Sequence, residues 1–334
     1  MQDKIGLEEH FNIRQFDTDP PIYVGDVAGV RARLLDVADQ RLGEMDASGL
    51  GYALLSLTAP GIQAIPDPKE AITLAREAND ALAEIVAAHP ARYGGMAALP
   101  LQDPQAAIDE LERCVTQLGF PTVMVNGFTD TLDGNGAWYY DHERYLPFWE
   151  RVESIGVPVY LHPRDPLPAN AGTYEGHPEL MGATWAFTVE TATHALRLMT
   201  SGLFDRFPDL KIILGHLGET LTFNMWRIEH RINSMGDLRK FKRPLGAYLR
   251  NNFYVTISGN FHTPALNNAL TELGADHVLY STDYPYESMR VASDWFDVVD
   301  ISEADQQLIG RDNARRIFPN LPAKIGNLAA TTSA

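Results

Sequence analysis

The sequence contains a single cysteine, Cys114, which excludes a framework of intrachain disulfides. It also lacks a glycine-rich G-x-G-x-x-G or G-x-x-x-x-G-K-[ST] motif, so the common nucleotide sites are not indicated. No apolar run reaches the ~18 residues of a membrane-spanning helix, and the chain does not open on a signal-peptide pattern. These absences predict a cytoplasmic protein with no membrane partner and with Cys114 buried in a helix.

Basic residues are scarce as well. Lys and Arg number 27 against 44 Asp and Glu, and the formal net charge at pH 7 is -17. This balance argues against binding to nucleic acid or to an anionic membrane surface. A small anionic substrate remains compatible with it, because a few cations placed close to the site are enough to bind one.

Eight short β-rich runs alternate with longer stretches of helical periodicity. Continuous apolar strands separated by helices are typical of a parallel sheet that is buried on both faces. Eight such units predict an α/β protein with a (β/α)8 TIM barrel, and a doubly wound sheet is the alternative. The runs cover residues 4–8, 51–57, 93–99, 122–126, 157–162, 211–216, 253–258 and 277–282.

The chain of 334 residues contains no low-complexity linker and no short internal repeat. Its length alone suggests about two domains, but α/β barrels often reach this size as one unit. The proline-rich segment 162–182 follows the fifth predicted strand and is interpreted as an active-site loop rather than a domain boundary. One domain over residues 1–334 is therefore expected.

Ionisable residues stand where several of the predicted strands end. Glu8 and His10 close the first strand, two residues apart and so on one face, while His162, His216 and Asp283 close strands five, six and eight. In barrels of this kind the carboxyl ends of the strands meet at one mouth. We therefore expect these five side chains to converge.

The converging residues suit one divalent metal ion. Imidazole and carboxylate ligands favour Zn²⁺ or Mn²⁺ over Mg²⁺, and a catalytic site keeps an open coordination position. Glu8, His10, His162 and Asp283 supply four ligands, which leaves His216 as a fifth ligand or as a base that faces the substrate. Taken singly, each histidine also fits a hydrogen-bonded residue at a barrel end. Their joint placement favours the metal site.

Long motifs of the chain resemble the amidohydrolase superfamily. The resemblance lies in its branch of metal-dependent decarboxylases, typified by aminocarboxymuconate semialdehyde decarboxylase. Within that branch the chain is most similar to the hydroxybenzoate decarboxylases that act on γ-resorcylate (2,6-dihydroxybenzoate). The motifs are LEEHF (7–11), YLHPRDPLP (160–168), GLFDRFPDLKIILGHLGE (202–219), STDYPYE (281–287) and GRDNARRIF (310–318).

This resemblance implies that Glu8, His10, His162 and Asp283 bind the metal and that His216 lies behind them, near the substrate. Asn126 stands where two-metal amidohydrolases carry a carboxylated lysine, so one metal per chain is implied. The sequence departs from the γ-resorcylate pattern beside Asp283. Tyr284 replaces a tryptophan there and Tyr286 a phenylalanine, which puts the preferred ring substituents in question.

The implied activity is non-oxidative, reversible decarboxylation of an ortho-hydroxybenzoate: 2,6-dihydroxybenzoate, 2,3-dihydroxybenzoate or a salicylate. The enzyme would be a carboxy-lyase that takes a small aromatic carboxylate. The same metal site also fits a hydrolase of a small ester, lactone or amide. A third interpretation is a non-catalytic binding protein whose barrel holds a structural metal. Such a metal would need a closed coordination shell.

Three side chains are the expected catalytic groups: Asp283 as the proton donor to the ring carbon, with His216 and Glu219 orienting or polarising the substrate. Glu219 also fits a carboxylate in the first turn of a helix. Arg227 could reach across a subunit interface in a homodimer or homotetramer, or form a surface salt bridge. The expected substrate contacts are Tyr23, Asn126, Trp185, Arg227 and Tyr286.

Overall fold

The computed structural model describes residues 1–16, 25–236 and 241–326. Eight of its strands belong to one sheet, and two short ones form a separate hairpin. The strands are β1 (Lys4–Phe11), β2 (Leu50–Leu57), β3 (Tyr93–Ala97), β4 (Thr122–Asn126), β5 (Thr129–Asp130), β6 (Ala137–Trp138), β7 (Val159–His162), β8 (Ile212–Leu214), β9 (Phe253–Thr256) and β10 (Val278–Leu279).

The large sheet closes into a barrel. Its strand order is β1-β2-β3-β4-β7-β8-β9-β10, and every neighbouring pair is parallel. The first and last strands are joined just beyond β10, where Asp283 N donates to Glu8 O (3.0 Å) and His10 N donates to Tyr284 O (2.7 Å). An open sheet has no such bonds between its edges. The predicted (β/α)8 barrel is therefore confirmed, and the doubly wound alternative is wrong.

Helices follow the strands around the outside of the barrel. Aspartates at three of their starts accept hydrogen bonds from backbone N–H groups of the first turn: Asp26 before α1, Asp67 before α3 and Asp103 before α4. The α-helices are α1 (Val27–Leu35), α2 (Asp39–Ala47), α3 (Pro68–Ala88), α4 (Pro104–Thr116), α5 (Leu146–Ile155), α6 (Ala186–Thr200), α7 (Leu203–Arg206), α8 (Leu221–Asn233), α9 (Leu245–Asn252), α10 (Thr263–Leu273), α11 (Met289–Val298), α12 (Glu303–Gln307) and α13 (Asn313–Ile317).

The core has two layers because strand side chains alternate. Met124 and Ile213 point into the barrel, whereas their neighbours Val123 and Ile212 pack outward against the helices. Cys114 is buried on α4, as expected. Within the parts of the chain that the structure describes, no helix is long and apolar enough to cross a membrane.

The strands differ from the predicted runs at their carboxyl ends. β1 continues to Phe11, while β8 and β10 stop before the ionisable residues that follow them. His216 and Asp283 have φ values of 52° and 68°, in the left-handed region that no strand residue adopts. The chain thus leaves the sheet sooner than its apolar pattern indicates and turns toward the barrel mouth.

Candidate metal centre

An irregularity in β1 directs Glu8 and His10 into the barrel mouth. Ile5 and Leu7 face the barrel interior, and strict alternation would turn Glu8 outward. The register of β1 against β2 shifts between Gly6 and Glu9, and such a bulge reverses which residues face inward. Glu8 and His10 then share the inner side, as their spacing predicts.

Four of the sequence-predicted residues meet at this mouth. Glu8, His10, His162 and Asp283 each offer one ligand atom, and these atoms all lie within 4.8 Å of one another. Glu8 Oε1 is 3.1 Å from His162 Nε2, and His10 Nε2 is 3.2 Å from Asp283 Oδ1. All four side chains are buried. Such a group of two carboxylates and two imidazoles can hold a divalent ion.

Two atoms of the cluster lack hydrogen-bond partners. Glu8 Oε1 and His10 Nε2 are buried, and neither has a partner within the described ranges. The far nitrogens of the histidines are occupied: His162 Nδ1 donates to the Pro163 carbonyl (2.8 Å), and His10 Nδ1 lies 3.1 Å from Ser56 Oγ. Ligating histidines are commonly held in this way, with the lone pair of the other nitrogen turned to the ion. The residues therefore fit a metal.

The charges of the cluster also suit a cation. Burial alone would raise the pKa of Glu8, but the neighbouring His216, His162 and His10 hold it well below its usual value. Burial and Glu8 act against ionisation of Asp283, yet the neighbouring imidazoles of His10 and His216 lower its pKa. Burial lowers the pKa of His10, which favours its neutral form. Ionised carboxylates and neutral imidazoles are the forms that bind metals.

His216 and Glu219 form a pair beside the four residues of the cluster. Residues 216 to 220 all have positive φ, so this left-handed turn places the two side chains on one side. His216 Nδ1 lies 2.6 Å from Glu219 Oε1, and its Nε2 faces Asp283 Oδ2 at 3.5 Å. Burial opposes the charge on His216, but Glu219 and Glu8 outweigh it and raise the pKa of the imidazole. Glu219 lies ahead of α8 and is buried, so it is not a solvated residue of a helix's first turn.

A groove of about 880 Å³ opens beside this pair. Trp185 lies on its wall and is 48% exposed, so it is not a core residue. The volume of the groove is large enough for a single aromatic ring, and its wall is largely apolar. Among its lining residues are Trp185, Phe187, Thr188, His216, Glu219, Phe223, Gly259, Asn260 and His262.

Two other expected substrate contacts lie near the cluster. The ring of Tyr286 stands edge-on to His10, with centroids 5.7 Å apart, and its hydroxyl lies 2.7 Å from Thr58 Oγ1. Asn126 ends β4 and is buried, and its Oδ1 has no hydrogen-bond partner in the described regions. Asn126 pairs with His162 on the neighbouring strand, so both side chains offer polar atoms close to the four residues of the cluster.

Of the two remaining expected contacts, the structure describes only Arg227. Arg227 is exposed on α8 and is not among the residues that line the groove. Tyr23 lies outside the described residues. The structure therefore brings nine of the ten described candidates to one mouth or its groove, and Arg227 is the exception.

Several polar residues around the cluster were not identified from the sequence. Tyr160, Thr256 and Ser258 surround the second oxygen of Glu8, and Thr188 Oγ1 donates to Glu219 Oε2 at 2.8 Å. A Cβ at Gly259 would lie 3.0 Å from Asp283 Oδ2. Tyr160 precedes His162 by two residues and so shares its face of β7, a spacing that could have pointed to it.

The profile of the family described as "Amidohydrolase" matches residues 31–319. The chain belongs to the amidohydrolase family. It is 54% identical to a γ-resorcylate decarboxylase of Rhizobium radiobacter over 323 residues, which is 95% of this chain and 98% of that protein. This relationship places it among the amidohydrolase-family decarboxylases, as its motifs suggest.

Solved structures of amidohydrolase-family decarboxylases have the same fold. A 2,6-dihydroxybenzoate decarboxylase in complex with 2,6-dihydroxybenzoate superposes with a TM-score of 0.93 at 52% identity, over 96% of this chain and 99% of that one. A dihydroxybenzoic acid decarboxylase of a Polaromonas species, with bound manganese and the inhibitor 2-nitroresorcinol, matches with a TM-score of 0.93 at 50% identity over 97% and 98%. The expected enzyme class, a carboxy-lyase of the metal-dependent hydroxybenzoate decarboxylases, is confirmed.

Proposed function

We propose that this protein decarboxylates an ortho-hydroxybenzoate without oxidation, with 2,6-dihydroxybenzoate as the first candidate. The observation that carries the proposal is the buried cluster of Glu8, His10, His162 and Asp283, which lies against the groove beside His216. Relatives of more than half identity act on this class of acid, as their names state. A reversible reaction would also allow carboxylation of the corresponding phenol.

One divalent ion per chain is proposed at this cluster, Mn²⁺ or Zn²⁺ in preference to Mg²⁺. Two imidazoles among four ligands favour these ions, and manganese is bound in the Polaromonas relative. Asn126, which has no charge, supports a single ion. When bound, the ion supplies positive charge that orients the substrate's carboxylate and ortho oxygen and favours the phenolate.

The difficult part of the reaction is to place a proton on the ring carbon that carries the carboxylate. Asp283 is the proposed donor, since its Oδ1 faces His10 and its Oδ2 faces His216, which lines the groove. It accepts the proton of the ortho hydroxyl as that group ionises and delivers it to the ipso carbon. The carbon–carbon bond then breaks, CO2 leaves, and the bonding electrons restore the aromatic phenolate, which takes a proton from water.

The neighbours of Asp283 hold the substrate in place. His216 is fixed by Glu219 and presents Nε2 toward Asp283, so that it can hydrogen-bond a carboxylate or phenolate oxygen. Tyr286, Asn126 and Trp185 are the proposed ring contacts within the subunit. Tyr23 stays a prediction. The cytoplasmic location expected from the sequence also stays a prediction.

Product analysis tests the activity. Protein loaded separately with Mn²⁺, Zn²⁺ or Mg²⁺ is incubated with 2,6-dihydroxybenzoate, 2,3-dihydroxybenzoate and salicylate, and both CO2 and the phenol are measured. We expect equal amounts of both products, fastest with 2,6-dihydroxybenzoate, and none with 3-hydroxybenzoate, which has no ortho oxygen. No CO2 from any acid, with turnover of aryl esters or lactones by the same protein, would favour a metal-dependent hydrolase instead.

The proposed assembly is a homodimer or homotetramer with Arg227 near a neighbouring pocket. Phe223 and Trp226 support it, since they are 79% and 72% exposed on the helix that carries Arg227. Apolar surface of this kind is typical of interfaces. We expect sedimentation to give an oligomer at working concentrations, and a sedimenting active monomer would contradict the shared arginine.

Mixed subunits test the role of Arg227 directly. Arg227→Ala and Asp283→Asn proteins are each purified, then unfolded and refolded together. If Arg227 serves the neighbouring site, a mixed oligomer contains one complete site and activity returns. If Arg227 acts within its own subunit, every site lacks one group and the mixture stays as inactive as its parents.

A further inference from the structure

The two carboxylate oxygens of Glu8 have different surroundings. Oε2 is enclosed by the hydroxyls of Tyr160 on β7 and of Thr256 and Ser258 at the end of β9. These four residues are all fully buried. In the closed barrel β7 lies opposite β1 and β9 is two strands away from it, so the convergence of these hydroxyls on one oxygen depends on the closed fold.

The hydroxyls are bonded to Oε2 and to one another. Tyr160 Oη and Ser258 Oγ both donate to Glu8 Oε2. Thr256 Oγ1 lies 2.9 Å from Tyr160 Oη, 2.8 Å from Ser258 Oγ and 3.4 Å from Oε2. A carboxylate oxygen has two lone pairs, and two donors use them both. Oε2 therefore has no lone pair left for a metal ion.

The other oxygen is left free. Glu8 Oε1 has no hydrogen-bond partner in the described part of the chain, and the Nε2 atoms of His162 and His216 lie 3.1 Å and 3.8 Å from it. The carboxylate is thus oriented with one oxygen bonded into the barrel and one oxygen presented to the cluster.

Gly215 leaves the space that Glu8 Oε2 and its hydroxyl partners occupy. A Cβ at Gly215 would lie 2.9 Å from Glu8 Oε2 and 3.3 Å from both Ser258 Oγ and Tyr160 Oη. Contacts of this length are tighter than those of ordinary packing, so only glycine leaves room for this arrangement. Residue 215 lies just before His216, at the point where the chain leaves β8.

We propose that Tyr160, Ser258 and Thr256 are positioning residues that restrict Glu8 to a single metal-binding oxygen, Oε1. The inference rests on the proposed metal site and goes beyond it, because it says how the protein sets the denticity of one ligand. A glutamate that is freed from these bonds can turn and offer both oxygens, which is the mode that Ca²⁺ often accepts. The hydroxyls therefore favour tight binding of a smaller ion and disfavour Ca²⁺.

The test measures metal binding rather than turnover. Tyr160→Phe and Ser258→Ala each remove one hydroxyl, and Tyr93→Phe is the matched control. Tyr93 is also fully buried on a barrel strand, but its hydroxyl has no hydrogen-bond partner among the described residues. The dissociation constants for Mn²⁺ and Ca²⁺ are measured on full-length protein by competition with a chelator, and the EPR spectrum of bound Mn²⁺ is recorded.

We expect each hydroxyl deletion to weaken Mn²⁺ binding by ~10- to 100-fold, the range found when hydrogen-bond partners of metal ligands are removed. Ca²⁺ should weaken less, so the preference for Mn²⁺ falls, and the EPR spectrum should change in Tyr160→Phe and Ser258→Ala but not in Tyr93→Phe. A general loss of stability would not alter the spectrum of the bound ion.

Two results would separate the inference from the site on which it rests. If wild-type protein binds Mn²⁺ and both hydroxyl variants match its affinity, its preference over Ca²⁺ and its spectrum, the positioning role is wrong while the metal site stands. If wild-type protein binds no Mn²⁺ at all, the metal site itself is wrong. Should Tyr160→Phe fail to fold, Ser258→Ala alone decides, because it removes only one oxygen atom.

Discussion

Metal-loaded Asp283→Asn protein is expected to decarboxylate 2,6-dihydroxybenzoate at least ~10²-fold more slowly than wild type, since a general acid typically contributes 10²- to 10⁴-fold. The substitution keeps the size of the side chain and one oxygen that can bind a metal, but it removes the proton-transfer group. Turnover is measured on protein whose metal content has been determined. A vacant site would otherwise be mistaken for a missing acid.

The His216→Asn variant provides the comparison for this prediction. His216 orients charge in the proposed mechanism, so its loss should be less severe or should act mainly on KM. If His216 were the acid instead, His216→Asn would lose more activity than Asp283→Asn. Residual turnover in D2O should place deuterium on the carbon that held the carboxylate. Near-wild-type activity in metal-loaded Asp283→Asn protein would rule out the proposed proton donor.

The barrel could be predicted from the sequence because its strands are short apolar runs separated by amphipathic helices. β4 was predicted to its exact residues, Thr122–Asn126, since polar or glycine-containing segments flank it on both sides. β8 and β10 were predicted too long. The residues that follow them are apolar or small, and only the positive φ of His216 and Asp283 shows that the chain has left the sheet.

The metal cluster could be predicted because histidine and carboxylate residues are rarely found together at strand ends. The local backbone geometry that positions these side chains could not be predicted. Two-residue spacing places Glu8 and His10 on one face, but only the bulge after Gly6 decides that this face is the inner one. The left-handed turn from His216 to Thr220 contains a single glycine among its five residues. Since positive φ is typical of glycine, the sequence of this segment does not predict the turn.

The hydroxyl residues around Glu8 could not be identified from the sequence either. Serine, threonine and tyrosine occur throughout a chain, and their role here depends on three strands meeting in space. Tyr160 has the same two-residue spacing from His162 that joins Glu8 to His10. Thr256 and Ser258 repeat that spacing on β9 and just beyond it. The two-residue spacing could therefore indicate that these hydroxyl residues face the barrel interior. Only the closed barrel shows that they meet at Glu8 Oε2.

Removal of His162 is expected to abolish stable metal binding. Loss of its Nε2 takes away one of the four proposed ligands and leaves Glu8 Oε1, 3.1 Å distant, as a buried charge with one neighbour fewer. We expect His162→Ala protein to bind Mn²⁺ at least ~10²-fold more weakly than wild type, beyond the 10- to 100-fold cost of losing a ligand's hydrogen-bond partner. Metal content after gel filtration and a chelator titration measure the effect.

His194→Ala is the matched control for this experiment. His194 is equally buried, but its Nε2 accepts a hydrogen bond from Tyr140 N in a layer outside the cluster. Its removal should lower stability and leave one metal per chain. Full metal retention in His162→Ala protein would overturn the ligand assignment. Two metals per chain in wild-type protein would likewise overturn the assignment of a single ion to these four residues.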